Sequence, residues 1–551
     1  MRSLVDVSMA ANQTEKSHAV ADASTLAVRQ LTPQRFFCML KLPYHYALAF
    51  LGALWYRFPS RKINVVAVTG TKGKSSVVEL VSALLEEAGF KTAHASTIHF
   101  KIGDKKERNL HKMTMPGRFF LQGFLRKAIK AGCTHAVLEM TSEGARQFRH
   151  KFIALDGLIF TNLAPEHIES HGSYENYVAA KVSIAEALET SKVKSLSHLI
   201  PPFRQLADKG VAESARAEDL TTPQSPPSPT TPPRRLGTPP RAGGVGGEEI
   251  PPASRPPFSP PDGEGRISQK LLVVNGDDKE AQKFLDAFSG TKIVYSKQDA
   301  KNSRVTSEGI SFMWQGVRIE SKLPGEFNLY NILAAITYAG AAGIPIEKIK
   351  AGIWNVQSIK GRAEKITLDT PTTPESPPQE PLRLADSALP LRKGAVGGEE
   401  RKQDFEIIVD YAHTPDSLEK LYQTYAGKYR RCILGNTGGG RDAWKRPVMA
   451  GIAEKYCDEI TLTNEDPYDE DPEKIIREMA AGMKYKEPLL VLDRRKAIRN
   501  VLERSSKGDV VLITGKGTDP YIMGRHGTKE SWDDATVVKE ELQKILSQRN
   551  F

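Results

Sequence analysis

Nine short runs of mostly apolar, often β-branched residues recur along the chain, and segments with helical spacing alternate with them. The runs are 63–69 (INVVAVT), 135–139, 157–161, 271–275, 406–410, 431–435, 459–463, 489–492 and 509–514. A strand that is apolar on both faces must be covered on both faces, which is the position of a parallel strand between helices. Strand and helix in alternation predict an α/β fold with largely parallel sheets. A spread over about 450 residues predicts at least two such domains.

Proline marks where this pattern stops. Of 35 prolines, sixteen fall within 201–261 and six within 371–390, so neither stretch can be helix or central strand. The two stretches share words (TTPQSPP and TTPESPP, GGVGGEE and GAVGGEE) but have no apolar period. They read as solvated low-complexity insertions in surface loops, 201–268 and 369–404. The chain then divides into a disordered terminus 1–35, a helical segment 36–62, a central domain 63–358 and a C-terminal domain 359–551. Residues 43–58 (PYHYALAFLGALWYRF) are apolar over about 13 residues, short of the ~20 that span a bilayer. A packed helix is expected there, with weak contact to a membrane surface as the other use.

Cys38, Cys133, Cys432 and Cys457 form no CxxC pair. Neither disulfides nor a structural zinc site is expected, and a reducing cytoplasm fits. The first 35 residues lack the apolar core of a secretory signal. Net charge is +11, and the first Pro-rich stretch is neutral, so the excess lies in the folded parts. That suits polyanions such as nucleotides. No basic stripe with interleaved aromatics occurs, so no nucleic-acid partner is expected.

Between the first strand and the helix at 75–89 stands Gly70-Thr71-Lys72-Gly73-Lys74-Ser75. Glycines let backbone approach phosphate oxygens, and the helix N-terminus aims its amides and positive dipole at them. Lys74 can reach terminal phosphates and Ser75 can ligate Mg²⁺. The full GxxxxGK[ST] pattern fails, because its first glycine position is Val68.

The form GTxGK[ST] resembles the Mur ligase family and its relative folylpolyglutamate synthetase. Further segments carry the resemblance in order: LEMTSE at 138–143, FTNLAPEH at 160–167, YVAAK at 177–181, GEFNLYN at 325–331, DYAHTPD at 410–416 and GGGRD at 438–442, followed by KRP at 445–447. It implies a P-loop central ATPase domain with a mostly parallel sheet, then a Rossmann-like C-terminal α/β domain. It implies a monomeric, ATP- and Mg²⁺-dependent ligase that joins an amine to a carboxylate through an acyl phosphate. The roles it implies are nucleotide binding for Asn328, Arg362, Asp410 and His413, metal binding for Ser75, Glu139, His167 and Lys181, and catalysis for Lys74, His167 and Lys181, the last carbamylated. A carbamate answers a physical difficulty, since an ammonium would repel the metals while a carbamate presents a carboxylate.

The resemblance is strongest to the family's tripeptide-forming branch, which adds an amino acid to UDP-N-acetylmuramoyl-dipeptide in peptidoglycan synthesis. Thr114 sits in a TMP variant of the branch's TTP element, and Thr141, Gln147 and Arg149 keep its substrate spacing. The amino-acid site is implied at Arg441, Glu465, Asp466, Pro467, Gly515 and Asp519. Two departures stand out. Only 62 residues precede Ile63, fewer than the uridine-gripping domain needs, and Glu465-Asp466-Pro467-Tyr468 replaces the DNPR of diaminopimelate enzymes. Tyrosine cannot form a guanidinium–carboxylate fork. With Asp469, Glu470 and Asp471 nearby, an acidic pocket entrance and a preference for lysine over diaminopimelate are expected. The competing readings are a folylpolyglutamate synthetase-like or other amide ligase, and a non-catalytic nucleotide-binding scaffold.

Overall fold

The computed structural model describes residues 33–166, 168–194, 270–368, 403–440 and 442–548. His167, Arg441, residues 1–32 and nearly all of both Pro-rich insertions lie outside the described residues, and so do the expectations placed on them.

The chain builds two main sheets. In β1 (Asn64–Thr69) alternate residues face opposite ways, so Val65 and Ala67 enter one core layer and Val66 and Val68 the other. Both layers are covered, as a parallel strand requires. The first sheet has the order β4-β3-β2-β5-β1-β6-β7-β8. Its members are β2 (Thr92–Ala95), β3 (His99–Ile102), β4 (Lys105–Arg108), β5 (His135–Met140), β6 (Gly157–Phe160), β7 (Leu271–Asn275) and β8 (Thr291–Tyr295). From β2 to β8 along that order every pairing is parallel. β3 and β4 extend one edge antiparallel, and neither was expected from an apolar run. One face is covered by helices Lys74–Glu87 and Glu326–Ala341, the other by Arg118–Lys130 and Tyr174–Thr190. Helix Glu326–Ala341 is buried almost all round, which matches its mostly apolar composition from Ile332 onward. A small antiparallel sheet of β9 (Lys301–Val305), β10 (Ile310–Trp314) and β11 (Val317–Ser321) closes this half.

The second sheet has the order β12-β13-β17-β14-β15-β16. It comprises β12 (Glu364–Lys365), β13 (Glu406–Val409), β14 (Arg430–Leu434), β15 (Glu459–Leu462), β16 (Leu489–Leu490) and β17 (Val510–Ile513), all parallel except β12. A hairpin of β18 (Tyr521–Met523) and β19 (Lys529–Ser531) follows. Arg108 on β4 reaches across to Asp533 at 2.9 Å and to Thr518 O at 3.1 Å, tying the two halves together.

Two expectations change. Cys432 on β14 and Cys457, after helix Lys445–Tyr456, are disulfide-bonded with Cα atoms 6.1 Å apart. Motif spacing missed the pair because the two are 25 residues apart and meet only when β14 and that helix pack. The N-terminal apolar stretch is one helix, Pro33–Trp55, beginning before residue 43 and ending before residue 58. Arg57 and Phe58 turn the chain out of it at φ 58° and 48°. Ala49 and Ala53 are buried, while Tyr44, Leu51, Leu54 and Trp55 are exposed. Among the described residues no helix is long and apolar enough to cross a membrane.

Candidate active site

The phosphate loop leaves β1 and is pinned from beside. Thr71 N–H donates to Asn162 O (2.7 Å), Lys72 N–H to Asn162 Oδ1 (2.9 Å), and Thr161 Oγ1 to Lys72 O (2.7 Å). Gly70 (φ 149°) and Gly73 (φ 82°) permit this closeness, since a Cβ would run into Thr161 Oγ1 at the first and Asn331 Oδ1 at the second. Lys74 Nζ donates to Thr71 O (2.9 Å) and lies 4.0 Å from Glu139 Oε1. Burial pushes its ammonium below the ordinary lysine value, against the pull of Glu139 and Glu166. Ser75 Oγ donates to Glu139 Oε2 at 2.9 Å. Lys72 pairs with Glu166 at 2.8 Å.

Glu139 ends β5 with its carboxylate buried. Thr97, which the sequence reading missed, donates to it from N–H (2.8 Å) and from Oγ1 (3.1 Å). Lys181 lies beneath the loop rather than in the cleft, its Nζ donating to Gly70 O at 2.5 Å. Burial, then the neighbouring Lys74, holds it well below the ordinary lysine value.

A cleft of about 690 Å³ separates this loop from the second sheet. Arg362, Asp410, Tyr411 and His413 line its far wall. Asp410 accepts the Ala363 and Ala412 N–H groups, each at 2.6 Å, so it shapes the backbone there. The Arg362 guanidinium stacks 4.7 Å over the Tyr411 ring. Asn328 is one layer back: its Nδ2 donates to Pro324 O, and its Oδ1 accepts from Asn331 Nδ2 at 3.0 Å. Asn331 is the residue that faces the cleft.

Thr114 and Thr141 line the cleft as expected, and Thr114 Oγ1 is 2.7 Å from Thr97 Oγ1. Gln147 and Arg149 do not. Arg149 donates to Gln147 Oε1 (2.8 Å) and to Met115 O, and Gln147 Nε2 donates to Glu143 (2.7 Å). They brace the 114–116 segment instead, because their short helix, Ser142–Arg146, has ended before them.

A second cavity of about 330 Å³ shares Thr97, Tyr411 and His413 with the first, so the two adjoin. Glu465, Asp466 and Asp519 line it. Lys112, unnoticed in the sequence, enters from the other half and meets Asp466 Oδ2 at 2.6 Å and Asp519 Oδ2 at 3.1 Å. Lys516 binds the same two carboxylates at 2.9 and 3.0 Å. Burial would raise the Asp466 carboxyl, but Lys516 and Lys112 outweigh it and hold it low. Glu465 differs: its Oε2 is buried without a hydrogen-bond partner, and burial, then Asp466, pushes its carboxyl up. Gly515, at φ 103°, leaves room for that carboxylate, and Pro467 packs its carbonyl against Gly438. The acidic entrance is smaller than expected. Glu470 is taken by Arg446, Asp471 caps helix Pro472–Ala480, and exposed Asp469 accepts His526 N–H.

Comparison with known proteins agrees with this arrangement. Residues 68–212 and 264–339 match the Mur ligase middle domain, and residues 396–517 match the Mur ligase, glutamate ligase domain. A UDP-N-acetylmuramyl-tripeptide synthetase from Roseiflexus sp. (strain RS-1) is 29% identical over 521 residues, covering 91% of this chain and 82% of that one. A UDP-N-acetylmuramoyl-L-alanyl-D-glutamate–2,6-diaminopimelate ligase from Syntrophomonas wolfei is 30% identical, covering 97% and 88%. Two solved structures share the fold: MurF from Acinetobacter baumannii (TM-score 0.52, 15% identity, 92% and 80% covered) and Mycobacterium tuberculosis folylpolyglutamate synthase complexed with ADP and AMPPCP (0.51, 13%, 87% and 96%). The phosphate loop, its facing wall and these matches along nearly the whole length lead to one assignment: the chain belongs to the Mur ligase family of ATP-dependent amide-bond ligases.

Proposed function

We propose that the chain adds an amino acid to the dipeptide carboxylate of a UDP-N-acetylmuramoyl precursor in peptidoglycan synthesis. The observation that carries this reading is the adjoining pair of cavities, one walled by the phosphate loop and one by carboxylates. The names of the Roseiflexus and Syntrophomonas relatives support the same substrate class.

The residues present fit Mg²⁺ and ATP: the two loop glycines leave backbone open to phosphate, and Ser75 Oγ and Glu139 offer the hard oxygen donors that Mg²⁺ prefers. When bound, they supply the phosphoryl group that turns an unreactive carboxylate into an acyl phosphate, and the charge to offset two approaching anions. Lys74 and the N-terminal amides of helix Lys74–Glu87 hold the phosphates and balance the charge that develops on them. Ser75 and Glu139 would hold the metal, with Thr97 N–H fixing the carboxylate. Arg362 on the opposite wall and Asn331 beside the phosphate loop would flank the nucleotide. Lys181 serves as a carbamate. Its depressed proton affinity supports this, since carbon dioxide adds only to the neutral amine.

The second cavity takes the incoming amino acid. Among its described lining residues, Lys112 is paired with two carboxylates and Lys445 with Asp442, while Glu465 accepts at Oε1 from Thr437 Oγ1 (3.1 Å) and has no ion-pair partner, its Oε2 being left without a hydrogen bond. An unpaired buried carboxylate favours a cationic side chain and disfavours one that brings a further carboxylate. Lysine, or another amino acid without a second carboxylate, is therefore favoured over diaminopimelate. Equal concentrations of the two are offered with ATP, Mg²⁺ and UDP-N-acetylmuramoyl-dipeptide, and the product mass is read. A dominant diaminopimelate product overturns the preference. Absence of any tripeptide product overturns the substrate class.

A further inference from the structure

We propose a second cation site in this protein, formed by Glu79, His94 and His99 and selective for a zinc-class divalent ion. Glu79 lies on helix Lys74–Glu87, one turn past Ser75; His94 is on β2 and His99 on the antiparallel β3. The fold brings their ligating atoms to one point. His94 Nε2 and His99 Nε2 are 2.9 Å apart, and Glu79 Oε1 is 3.3 Å from the first and 3.2 Å from the second. All three sit near one point with no ligand from Glu139 or Ser75, so the site is separate from the phosphate-loop metal position.

The spacing is what a bound ion requires. Ligands at ~2.0–2.1 Å from one metal are ~2.9 Å apart at right angles and ~3.3 Å apart at the tetrahedral angle. The three observed separations span that range. Without a cation the arrangement is costly, because Glu79 Oε1 is shielded from solvent yet has no aligned hydrogen bond. Lys106, the lysine whose charge reaches it, is exposed.

Donor chemistry selects the ion. Two imidazoles and one carboxylate suit Zn²⁺, Co²⁺ or Ni²⁺; Mg²⁺ and Ca²⁺ prefer all-oxygen sets. Three protein ligands leave one coordination position for water, reached past the partly exposed rims of Glu79 and His99, whose side chains are 15% and 13% accessible. His94 Nδ1 is buried without an acceptor, so the ring lacks the outer hydrogen bond that strengthens a ligating histidine. Micromolar affinity is expected for that reason.

The ion would join the phosphate-loop helix to the β2–β3 hairpin. Thr97, on the turn of that hairpin, holds the Glu139 carboxylate. The site thus braces the edge of the active centre without entering it.

The test uses full-length protein stripped of metal and kept in millimolar Mg²⁺, titrated with Zn²⁺ by calorimetry and with Co²⁺ by its visible ligand-field bands. One equivalent per chain is expected, with micromolar affinity and a rise in melting temperature on adding Zn²⁺. Glu79→Gln keeps the helix and side-chain volume and should weaken binding at least tenfold; His94→Gln and His99→Gln should do the same. His526→Gln, at an exposed histidine, should bind as wild type does. The proposal is overturned if the stripped protein takes up no stoichiometric Zn²⁺ or Co²⁺. Undiminished binding in folded Glu79→Gln and His99→Gln overturns it equally.

Discussion

Lys74 and Lys181 share one loop and one shift, both pushed below the ordinary lysine value by burial, yet their surroundings assign them differently. Lys74 sits at the cleft between Thr71 O and Glu139, where a phosphate would draw it out. Replacing it with alanine should lower substrate-dependent ADP release about 10²–10³-fold and leave the circular dichroism spectrum unchanged. A loss below tenfold in steady-state assays would remove it from the chemistry. Lys181 is fixed under Gly70, where burial and then the neighbouring Lys74 disfavour its charged form. The Lys181→Ala protein should be nearly inactive and regain part of its activity with formate or acetate, which supply the missing carboxylate. Full activity in bicarbonate-free buffer would refute the carbamate. At this scale the sequence motif named both lysines, but it did not reveal what Gln147 and Arg149 bond to within the fold. Their spacing suits a ligand site, yet their hydrogen bonds close on each other and on Met115 O.

Elements are held by a few buried polar joints as well as by apolar faces. Arg494 opens helix Arg494–Arg504, and both it and Asp534, at the start of helix Asp534–Gln548, have fully buried side chains. The pair is bidentate, Nε to Oδ1 at 2.8 Å and Nη2 to Oδ2 at 2.7 Å, and Trp532 Nε1 donates to the same carboxylate at 2.8 Å. Breaking one side leaves a buried guanidinium without its counter-charge, at a cost of about 3–5 kcal/mol. Asp534→Ala should therefore lower the urea midpoint sharply with little change in slope, measured by fluorescence. A midpoint near that of wild type would mean that Thr514 O, which also accepts from Arg494, suffices.

The whole molecule adds effects that no single element carries. His135 and His150 are buried in the central half, and burial pushes both down to about 3 from an ordinary 6.5. Each therefore takes up its proton only on unfolding. Between about pH 6.5 and about pH 3 the unfolded chain binds more protons, so stability falls as pH falls. The slope approaches about 1.4 kcal/mol per pH unit for each histidine. Chemical denaturation at pH 7 and pH 5 should show the loss, and His150→Gln should reduce it; a flat profile would contradict the burial argument. The described residues on either side of the first Pro-rich insertion lie close together, since Lys270 Nζ donates at 2.6 Å to Glu189 O in the last turn of helix Tyr174–Thr190. Replacing 201–268 with a short Gly-Ser linker should leave the melting temperature and ligase activity nearly unchanged. Loss of soluble expression would show that the insertion contributes to folding.

The division between sequence and tertiary structure follows from range. β1 with its phosphate loop and helix is local: apolar runs, two glycines and a helix start lie within 24 consecutive residues, 64–87, so their order in sequence is their order in space. Apart from β2 (TAHA) and β8 (TKIVY), which polar residues break, the parallel core strands were legible for the same reason, because strands covered on both faces are largely apolar. β3 and β4 were not, since an antiparallel edge strand needs no such run, and β4 is wholly exposed. Only packing decided which side chains meet across the cleft. Thr97 reaches Glu139 from 42 residues away and Lys112 reaches Asp466 from 354, and no spacing rule connects such pairs. The same holds for Cys432 with Cys457 and for Glu79, His94 and His99, whose ligating atoms converge only because a helix packs over the strand pair that carries the two rings. Local chemistry was written in the chain, whereas each long-range partnership came from how the sheets and helices closed upon one another.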